Sequence, residues 1–176
     1  MKVLVTGTST GIGRGIAEKF LAEGHTVIGL DVAESTIAHE NYAHYIADVA
    51  CPEQLPAVEG VEILINNAGV QDSGRDIDVN LRGTIYCTEK YGIQPNIKSI
   101  VMTASVSAHN GAEFPEYCAS KGGVLAYTKN VALRVAKYGA TCNSISAGGV
   151  ITELNAHILE NPALWDQVMA ETLLPK

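Results

Sequence analysis

The chain has 176 residues, of which 47% are hydrophobic and 18% are charged. This length predicts a single domain, and the apolar content excludes a disordered chain. The net charge of -7 argues against nucleic acid or an anionic membrane as the main partner. No apolar stretch approaches the length of a membrane span.

The cysteines and histidines show no metal-binding pattern. The four cysteines contain no C-x-x-C pair, and no two of the five histidines have a zinc-ligand spacing, so we expect no bound metal. We expect reduced thiols, as in a cytoplasmic protein. Met1 leads directly into a strand-like run, which predicts that there is no signal peptide.

Short apolar runs alternate along the chain with segments of helical period. The predicted strands are residues 2–6, 26–30, 42–46, 62–65, 99–103 and 141–145. The predicted helices are residues 13–23, 80–91 and 117–138. Apolar residues on both faces are typical of buried parallel strands, and the alternation with helices predicts right-handed βαβ units. We therefore expect an α/β fold with a doubly wound parallel sheet and helices on both faces.

Two crossovers and the end of the chain depart from this regular pattern. Pro52 and Pro56 allow at most a short helix in residues 50–60, and the polar stretch 70–78 is predicted to be a loop. After Thr152 we expect one or two amphipathic helices, one of them starting at Asn161-Pro162. No further strand is predicted there, so the sheet is expected to lack a C-terminal strand.

A glycine-rich turn follows the first predicted strand and opens a helix. It reads Thr6-Gly7-Thr8-Ser9-Thr10-Gly11-Ile12-Gly13. Glycines permit a tight turn and close approach of a pyrophosphate, whose charge is attracted by N–H groups at the helix N-terminus. Gly13 is expected to let the helix pack closely on the strand.

Asp31 ends the second predicted strand, at the position where a carboxylate can accept hydrogen bonds from the adenosine ribose. The same charge would repel a 2′-phosphate, and neither Thr10 nor Val32 supplies a cation to offset the repulsion. The pattern therefore predicts NAD(H) rather than NADP(H). The alternative is that Asp31 is only a polar strand end.

Further motifs occur in an order that resembles the short-chain dehydrogenase/reductase family, in its T-G-x-x-x-G-x-G and Y-x-x-x-K branch. They are the glycine turn, Asp31, Asp48-Val49, Asn66-Asn67-Ala68-Gly69, Asn80, Ser105, Tyr117-Cys118-Ala119-Ser120-Lys121 and the segment from Asn143 to Thr152. The resemblance covers nearly the whole chain. It implies one Rossmann domain over residues 1–176, and an NAD(H)-dependent oxidoreductase acting on a small secondary alcohol or ketone.

The resemblance also implies a catalytic set of Asn80, Ser105, Tyr117 and Lys121. Tyr117 is the general acid/base on the substrate oxygen. Lys121, four residues later and so on the same helix face, favours the phenolate and holds the nicotinamide ribose. Ser105 hydrogen-bonds the substrate oxygen, and Asn80 steadies a proton-relay water. Ser107 is a rival to Ser105, which we prefer because it lies where a predicted strand ends.

Cofactor contacts are implied at positions spread along the chain. They are Gly7, Thr10, Gly11, Ile12, Gly13, Asp31, Asp48, Val49, Asn67, Ala68, Gly69, Tyr117, Lys121, Gly148, Val150 and Thr152. Asp48 and Val49 resemble the pair that contacts the adenine, and residues 66–69 resemble the turn beside the cofactor. Ala147-Gly148 stands where the family usually has Pro-Gly, and alanine does not restrict φ, so a modestly looser turn is expected.

The chain is shorter than typical members of the family, and we expect a truncated form in which residues 152–176 are a partial substrate lid. An incomplete lid leaves a second hypothesis, a non-catalytic dinucleotide-binding protein. The complete catalytic set favours an enzyme, because a pure binder would not need it. An NADPH-dependent acyl-carrier-protein ketoreductase fits poorly, because Asp31 disfavours NADP and no basic patch is evident.

The segments 80–91 and 117–138 carry apolar residues on more than one helix face. They are Leu81, Ile85, Tyr86, Val124, Leu125, Tyr127, Val131 and Leu133. Part of this surface would be exposed in a monomer, and a two-fold pairing would bury it. The resemblance points to the same helices, so we expect a homodimer or homotetramer through them. The alternative is that these residues pack under loops of the same subunit.

Overall fold

Six parallel strands form one sheet in the computed structural model, which describes residues 1–112, 114–152 and 156–170. The strands are β1 (Lys2–Thr6), β2 (Thr26–Asp31), β3 (Tyr42–Ile46), β4 (Ile63–Asn66), β5 (Ser99–Ser105) and β6 (Thr141–Ala147). All neighbours in the order β3-β2-β1-β4-β5-β6 pair in parallel. Strands β2 and β3 lie on one side of β1, and β4, β5 and β6 lie on the other. The strand order therefore reverses between β1 and β4, which is the switch point where such sheets bind ligands. The predicted doubly wound sheet is confirmed.

Residues 32–41, between β2 and β3, contain no helix, and only a short 3-10 turn follows β3, whereas helices follow the other four strands. The helices are α1 (Gly11–Ala22), α2 (residues 77–92), α3 (Ser107–Asn110), α4 (Pro115–Val135), α5 (Ala156–Leu159) and α6 (Pro162–Ala170). Helix α2 is continuous, with π-helical segments Ile77–Gly83 and Thr88–Gly92 flanking the α-helical turn Thr84–Cys87. Short 3-10 turns occupy Pro52–Gln54 and Ala136–Tyr138. No helix in the described ranges is both long enough and apolar enough to cross a membrane.

Alternate residues of the central strands supply hydrophobic clusters on the two faces of the sheet. Val3 packs in a cluster with Leu21 of α1. Leu4, the next residue along β1, belongs to a larger cluster with Tyr91 of α2 and Val131 of α4. Because successive side chains of a strand point to opposite faces, these two clusters show that helices cover both faces, as predicted.

The two edge strands contradict the prediction that every strand is buried on both faces. Tyr45 and Ile46 of β3 are 41% and 57% exposed, and Ile145 of β6 is 61% exposed. Tyrosine and isoleucine favour strands at an edge as well as at the centre, so their presence alone does not indicate burial. Within the described residues no strand pairs with the outer edge of β6, as the sequence predicted.

Three helices begin earlier than predicted. Helix α1 begins at Gly11 rather than at residue 13, α2 at Ile77 rather than at residue 80, and α4 at Pro115 rather than at residue 117. The predicted loop 70–78 is shortened because it closes on Asp76, whose carboxylate accepts hydrogen bonds from the backbone N–H groups of Asp72 and Ser73.

The segment after Thr152 contains the two helices that the sequence predicted. Asn161 Oδ1 accepts hydrogen bonds from the backbone N–H groups of Ala163 and Leu164, at 3.1 and 3.4 Å. This cap, followed by a proline at the first helical position, explains why α6 starts at Pro162. The rest of the predicted lid, residues 153–155 and 171–176, lies outside the described residues.

Helix α1 packs against the turn that precedes it with no room for a side chain at Gly13. A Cβ atom built on Gly13 would lie 1.9 Å from the Gly7 carbonyl oxygen and 2.5 Å from Asn67 Nδ2. The close packing predicted for Gly13 is therefore confirmed. By contrast, a Cβ atom on Gly15 would have no neighbour within 4 Å.

We expect Gly13→Ala to lower the free energy of unfolding by roughly 2–4 kcal/mol, because the new methyl group overlaps a backbone carbonyl. Gly15→Ala is the matched control in the same helix. It should raise the free energy of unfolding by about 0.5–1 kcal/mol, since alanine favours helix and the site is open. Urea denaturation of both variants tests this expectation, and equal effects would contradict it.

Candidate active site

The glycine-rich turn places an uncapped helix N-terminus at the switch point of the sheet. Gly7 and Gly11 have φ values of +75° and +56°, which glycine adopts without strain. The Gly7 N–H donates to the Leu30 carbonyl at 2.7 Å, which holds the turn against β2. The side chain of Thr10, the N-cap residue of α1, makes no capping hydrogen bond. The first N–H groups of α1 thus suit an anion.

Asp31 is held beside this turn by two backbone groups. Its Oδ2 accepts a hydrogen bond from the Ser9 N–H at 2.9 Å, and its Oδ1 accepts one from the Ala33 N–H at 3.0 Å. Each oxygen keeps a second lone pair. The carboxylate is thus oriented at the end of β2 and retains acceptor capacity for a ligand hydroxyl.

The predicted adenine contacts, Asp48 and Val49, have different surroundings. Asp48 Oδ2 forms an ion pair with Arg75 Nη2 at 2.6 Å. Burial acts to raise the pKa of Asp48, but hydrogen bonds from Arg75 and the Ala50 N–H outweigh it and hold the pKa below its ordinary value. Val49 is 5% exposed and its side chain packs against Gly83, so the adenine contact at this residue stays a prediction.

The asparagine pair after β4 ties this strand to its neighbours. The N–H groups of Asn67 and Ala68 both donate to Thr6 Oγ1 at 2.9 Å, and Asn67 Nδ2 donates to the Thr6 carbonyl at 3.1 Å. Asn66 Nδ2 donates to Thr88 Oγ1 of α2 at 2.9 Å. Asn67 therefore ties the end of β4 to the start of the glycine turn, and the cofactor contacts of residues 67–69 stay predictions.

Asn80 and Lys121 meet at Gly69. A Cβ atom on Gly69 would lie 3.2 Å from Asn80 Oδ1 and 3.4 Å from Lys121 Nζ, so both polar groups lie close to this glycine. Asn80 lies in the first π-helical segment of α2 and is 1% exposed. Its Oδ1 accepts from the Val70 N–H, and its Nδ2 donates to the Val70 carbonyl and to Ser120 Oγ.

Lys121 is buried beside Tyr117 and is 4% exposed. Its Nζ donates to the Thr103 carbonyl at 2.8 Å and lies 5.7 Å from the centre of the Tyr117 ring. Burial lowers the pKa of Lys121 to about 8, while the charge of Asp76 acts in the opposite direction. A cation next to a phenol favours the phenolate, which is the interaction that the predicted catalytic pair requires.

Ser105 and Ser107 lie together at the carboxyl end of β5. Their hydroxyl oxygens are 3.0 Å apart, and the Ser107 N–H donates to Ser105 Oγ at 3.2 Å. Both are buried, at 6% and 2% exposed. The two serines form one hydroxyl pair at the carboxyl end of β5, and Ser105 stays our prediction for the residue that binds the substrate oxygen.

Asp76 was not identified from the sequence. It is 1% exposed, accepts a third hydrogen bond from Ser73 Oγ at 3.1 Å, and supplies the negative charge that acts on Lys121. Its placement one helical turn before Asn80 is the signal that could have indicated it. That signal was missed because residues 70–78 were predicted to be a loop.

A cleft of about 540 Å³ opens above the start of α1. It is lined by Gly11, Ile12, Arg14, Gly15, Glu18, Val150, Ile151 and Thr152. The fold thus brings the predicted cofactor residues Val150 and Thr152 to the glycine turn, from the other end of the chain. Gly148 lies in the loop after β6, and a Cβ atom there would meet nothing within 4 Å.

Comparisons with known proteins agree with this geometry. Residues 1–163 match the family model described as short chain dehydrogenase. The chain is 30% identical to 2-(R)-hydroxypropyl-CoM dehydrogenase from Xanthobacter autotrophicus, over 95% of this chain and 81% of that protein. The chain belongs to the short-chain dehydrogenase/reductase family, whose members are oxidoreductases that act on CH–OH groups with a nicotinamide dinucleotide.

Solved structures show the same relationship. A 3-oxoacyl-(acyl-carrier protein) reductase from Brucella melitensis in complex with NAD aligns with a TM-score of 0.82 and 28% identity, over 99% of this chain and 82% of that chain. A putative 2-deoxy-D-gluconate 3-dehydrogenase from Agrobacterium tumefaciens with bound NADP aligns with a TM-score of 0.86 and 25% identity, over 96% and 79%. These relatives bind different dinucleotides, so they do not decide between the two for this chain.

We expect Lys121→Met to stabilise the fold at pH 7 by on the order of 2 kcal/mol, because it removes a charge that is costly to bury. Folding lowers the pKa of Lys121 from 10.5 to about 8, so between these values the unfolded chain binds more protons there. The advantage of the variant should therefore shrink as the pH rises from 8 to 10. Urea denaturation across this range measures it, with Lys129→Met, an exposed lysine of the same helix, as the control. A variant less stable than the parent at pH 7 would contradict the expectation.

Proposed function

We propose that this protein is an NAD(H)-dependent enzyme that interconverts a secondary alcohol and a ketone, with Tyr117 as general acid/base. The observation that carries the proposal is the buried Lys121 ammonium beside the Tyr117 ring, at the carboxyl edge of the sheet. We further propose that residues 1–176 are one domain, with residues 152–176 as a partial substrate lid. A cytoplasmic location is proposed because the four cysteines are free thiols.

The residues around the glycine turn fit a dinucleotide. Gly7 and Gly11 form the tight turn, Gly13 lets α1 pack closely on it, and the first N–H groups of α1 suit the pyrophosphate. The Asp31 carboxylate would accept hydrogen bonds from the adenosine ribose, and Lys121 would hold the nicotinamide ribose. The nicotinamide supplies or accepts the hydride when it is bound, and the protein's part is to orient it and the substrate.

The protein's own side chains would carry out the proton transfer. In the direction of reduction, the Tyr117 hydroxyl gives its proton to the substrate oxygen, and in oxidation the phenolate takes it back. The Lys121 cation stabilises that phenolate. Ser105 would orient the substrate oxygen. Because both N–H groups of the Asn80 amide are engaged, a relay water would use the second lone pair of Asn80 Oδ1.

The preference for NAD(H) over NADP(H) rests on Asp31. Its carboxylate is oriented by Ser9 and Ala33, and the adjacent Val32 is exposed and uncharged. A 2′-phosphate in this position would meet a negative charge with no cation from Thr10 or Val32 to offset it. Relatives that are named as acyl-carrier-protein reductases do not alter this reasoning, because it depends on the charge at this one position.

A second candidate function is a dinucleotide-binding protein without catalysis. The observation that favours it is that α6, in the proposed lid, has no buried residue, so the described part of the lid is only lightly packed. Turnover distinguishes the two candidates, because both of them require cofactor binding.

We expect Tyr117→Phe to lower kcat at least about 100-fold while the Kd for NADH changes less than about threefold, because the hydroxyl carries the proton and not the cofactor. Oxidation of a panel of secondary alcohols with NAD measures turnover, and fluorescence titration measures binding. Tyr138→Phe is the control, since its ring also has a lysine ammonium within 4.9 Å but lies outside the site. Unchanged turnover in Tyr117→Phe would remove this residue from its role.

We expect the parent to bind NADH at least about tenfold more tightly than NADPH, because like charges would be desolvated together at Asp31. Asp31→Ala combined with Thr10→Arg should reverse the order. Asp31→Asn, which removes the charge and keeps one of the two acceptor oxygens, should lose the discrimination because NADPH is no longer repelled. Titration calorimetry with both cofactors is the measurement, and equal binding by the parent would refute the preference.

We also propose a homodimer through segments 80–91 and 117–138. The apolar surface of these helices is smaller than the sequence indicated, because Val124 and Val131 are buried within the subunit. Leu133 is 80% exposed, and the half-buried apolar residues of this surface are Leu81, Ile85, Tyr86, Leu125 and Tyr127. Glu89 links the two helices through a bidentate ion pair with Arg134, so they present one continuous surface.

We expect light scattering to give a dimer at micromolar concentration. Leu133→Glu should produce a monomer, because it places a charge in the apolar centre of the proposed contact. Leu164→Glu, an exposed leucine of α6, is the control that should leave the mass unchanged. A tetrameric mass that Leu133→Glu reduces to a dimer would also fit a contact at these helices, whereas a monomeric parent would contradict it.

A further inference from the structure

Two side chains of the edge strand β3 reach the underside of the glycine-rich turn. Tyr42 and His44 are two residues apart, so they point to the same face of the strand. The Tyr42 hydroxyl lies within hydrogen-bond distance of both Thr8 Oγ1, at 2.8 Å, and His44 Nδ1, at 2.9 Å. His44 Nε2 lies 2.9 Å from the Ala33 carbonyl oxygen. This polar chain connects the turn to the loop that follows Asp31.

The neighbouring strand makes room for this chain of contacts. A Cβ atom on Gly29 of β2 would lie 2.0 Å from the Tyr42 hydroxyl and 2.5 Å from Thr8 Oγ1. The Tyr42 hydroxyl therefore occupies the space that any other residue at position 29 would fill. Burial raises the pKa of Tyr42, so its hydroxyl keeps the proton that it donates.

The same contacts reach the Asp31 carboxylate through one peptide group. The Ala33 carbonyl accepts a hydrogen bond from Ser9 Oγ at 3.2 Å as well as from the His44 ring, while the Ala33 N–H donates to Asp31 Oδ1. The Thr36 hydroxyl donates to the Ser9 carbonyl at 2.7 Å. Ala33 is thus held on both sides, by β3 and by the carboxylate that is proposed to bind the ribose.

We propose that Tyr42 and His44 are positioning residues for the adenosine half of the cofactor site. They act through Thr8 and Ala33, and they hold the glycine turn and the Asp31 loop in the geometry that binds ligand. A site that is already ordered loses less conformational entropy on binding, so breaking either end of the chain should weaken affinity. The inference rests on the proposed cofactor site and extends it to residues of an edge strand.

The test is titration calorimetry with ADP-ribose, which carries the adenosine half and the pyrophosphate but no nicotinamide. We expect Tyr42→Phe to raise the Kd for ADP-ribose about fivefold, as for the loss of one hydrogen bond. His44→Leu, at the partly exposed other end of the chain, should do the same. Tyr45→Phe is the matched control, because it makes the same chemical change on an exposed side chain of β3 and should leave the Kd unchanged.

Two further measurements separate positioning from general destabilisation. Tyr42→Phe and Thr8→Val each remove the same hydrogen bond between these two side chains. The double variant should therefore bind ADP-ribose no more weakly than the single variant with the higher Kd. The kcat of Tyr42→Phe at saturating NAD should stay within about twofold of the parent. Additive losses, or a loss of kcat without a change in Kd, would overturn the inference.

The outcome also distinguishes this inference from the proposed function. If the parent does not bind ADP-ribose, the proposed cofactor site is wrong and the inference is overturned with it. If the parent binds and Tyr42→Phe and His44→Leu bind equally well, only the inference is overturned.

Discussion

The close approach of helix α1 to the turn before it is the constraint on which the site depends. A Cβ atom on Gly13 would lie 1.9 Å from the Gly7 carbonyl oxygen, so the helix can start where it does only because that atom is absent. This junction directs the N-terminus of α1 to the switch point of the sheet. Asn67 binds the same turn from β4, and Ser9 binds Asp31 on β2. Three strands are thereby joined at one place.

The corner of the structure that holds Lys121, Asn80 and Gly69 is costly to fold. Lys121 is buried, and the ion pair that would normally accompany a buried cation is replaced by a hydrogen bond to a carbonyl and the charge of Asp76. Its lowered pKa is the sign of this cost. Such a group is retained where function needs a cation in a place shielded from water. The irregular π-helical start of α2, which carries Asn80 to the same corner, is a second departure from regular structure at the proposed active site.

The two edges of the sheet contribute to the proposed ligand site in different ways. At one edge, Tyr45 and Ile46 of β3 are exposed, whereas Tyr42 and His44 of the same strand contact the glycine turn and the loop after Asp31. At the other edge β6 leads into residues 150–152, which line the cleft opposite the start of α1. The ligand site proposed here therefore lies between elements from the first and last parts of the described chain.

Local patterns in the sequence predicted the strands, the glycine turn and the motifs proposed to be catalytic. Short apolar runs, helical periodicity and the spacing of Tyr117 and Lys121 are properties of neighbouring residues, so they can be read without knowing what packs against them. The α/β class and the family followed from them. The start of α2 did not, because Asp76 closes the preceding loop through contacts that composition does not reveal.

Only the tertiary structure determined which residues are buried and which residues contact one another. It placed Val49 in the core, exposed Ile145 at an edge, paired Asp48 with Arg75, and set the Tyr42 hydroxyl in the space left by Gly29. Each of these depends on residues that are distant in sequence or lie on a different strand. A side chain carries the same local signal whether its neighbour is water, a methyl group or a charge, and only the folded chain determines which of these it meets.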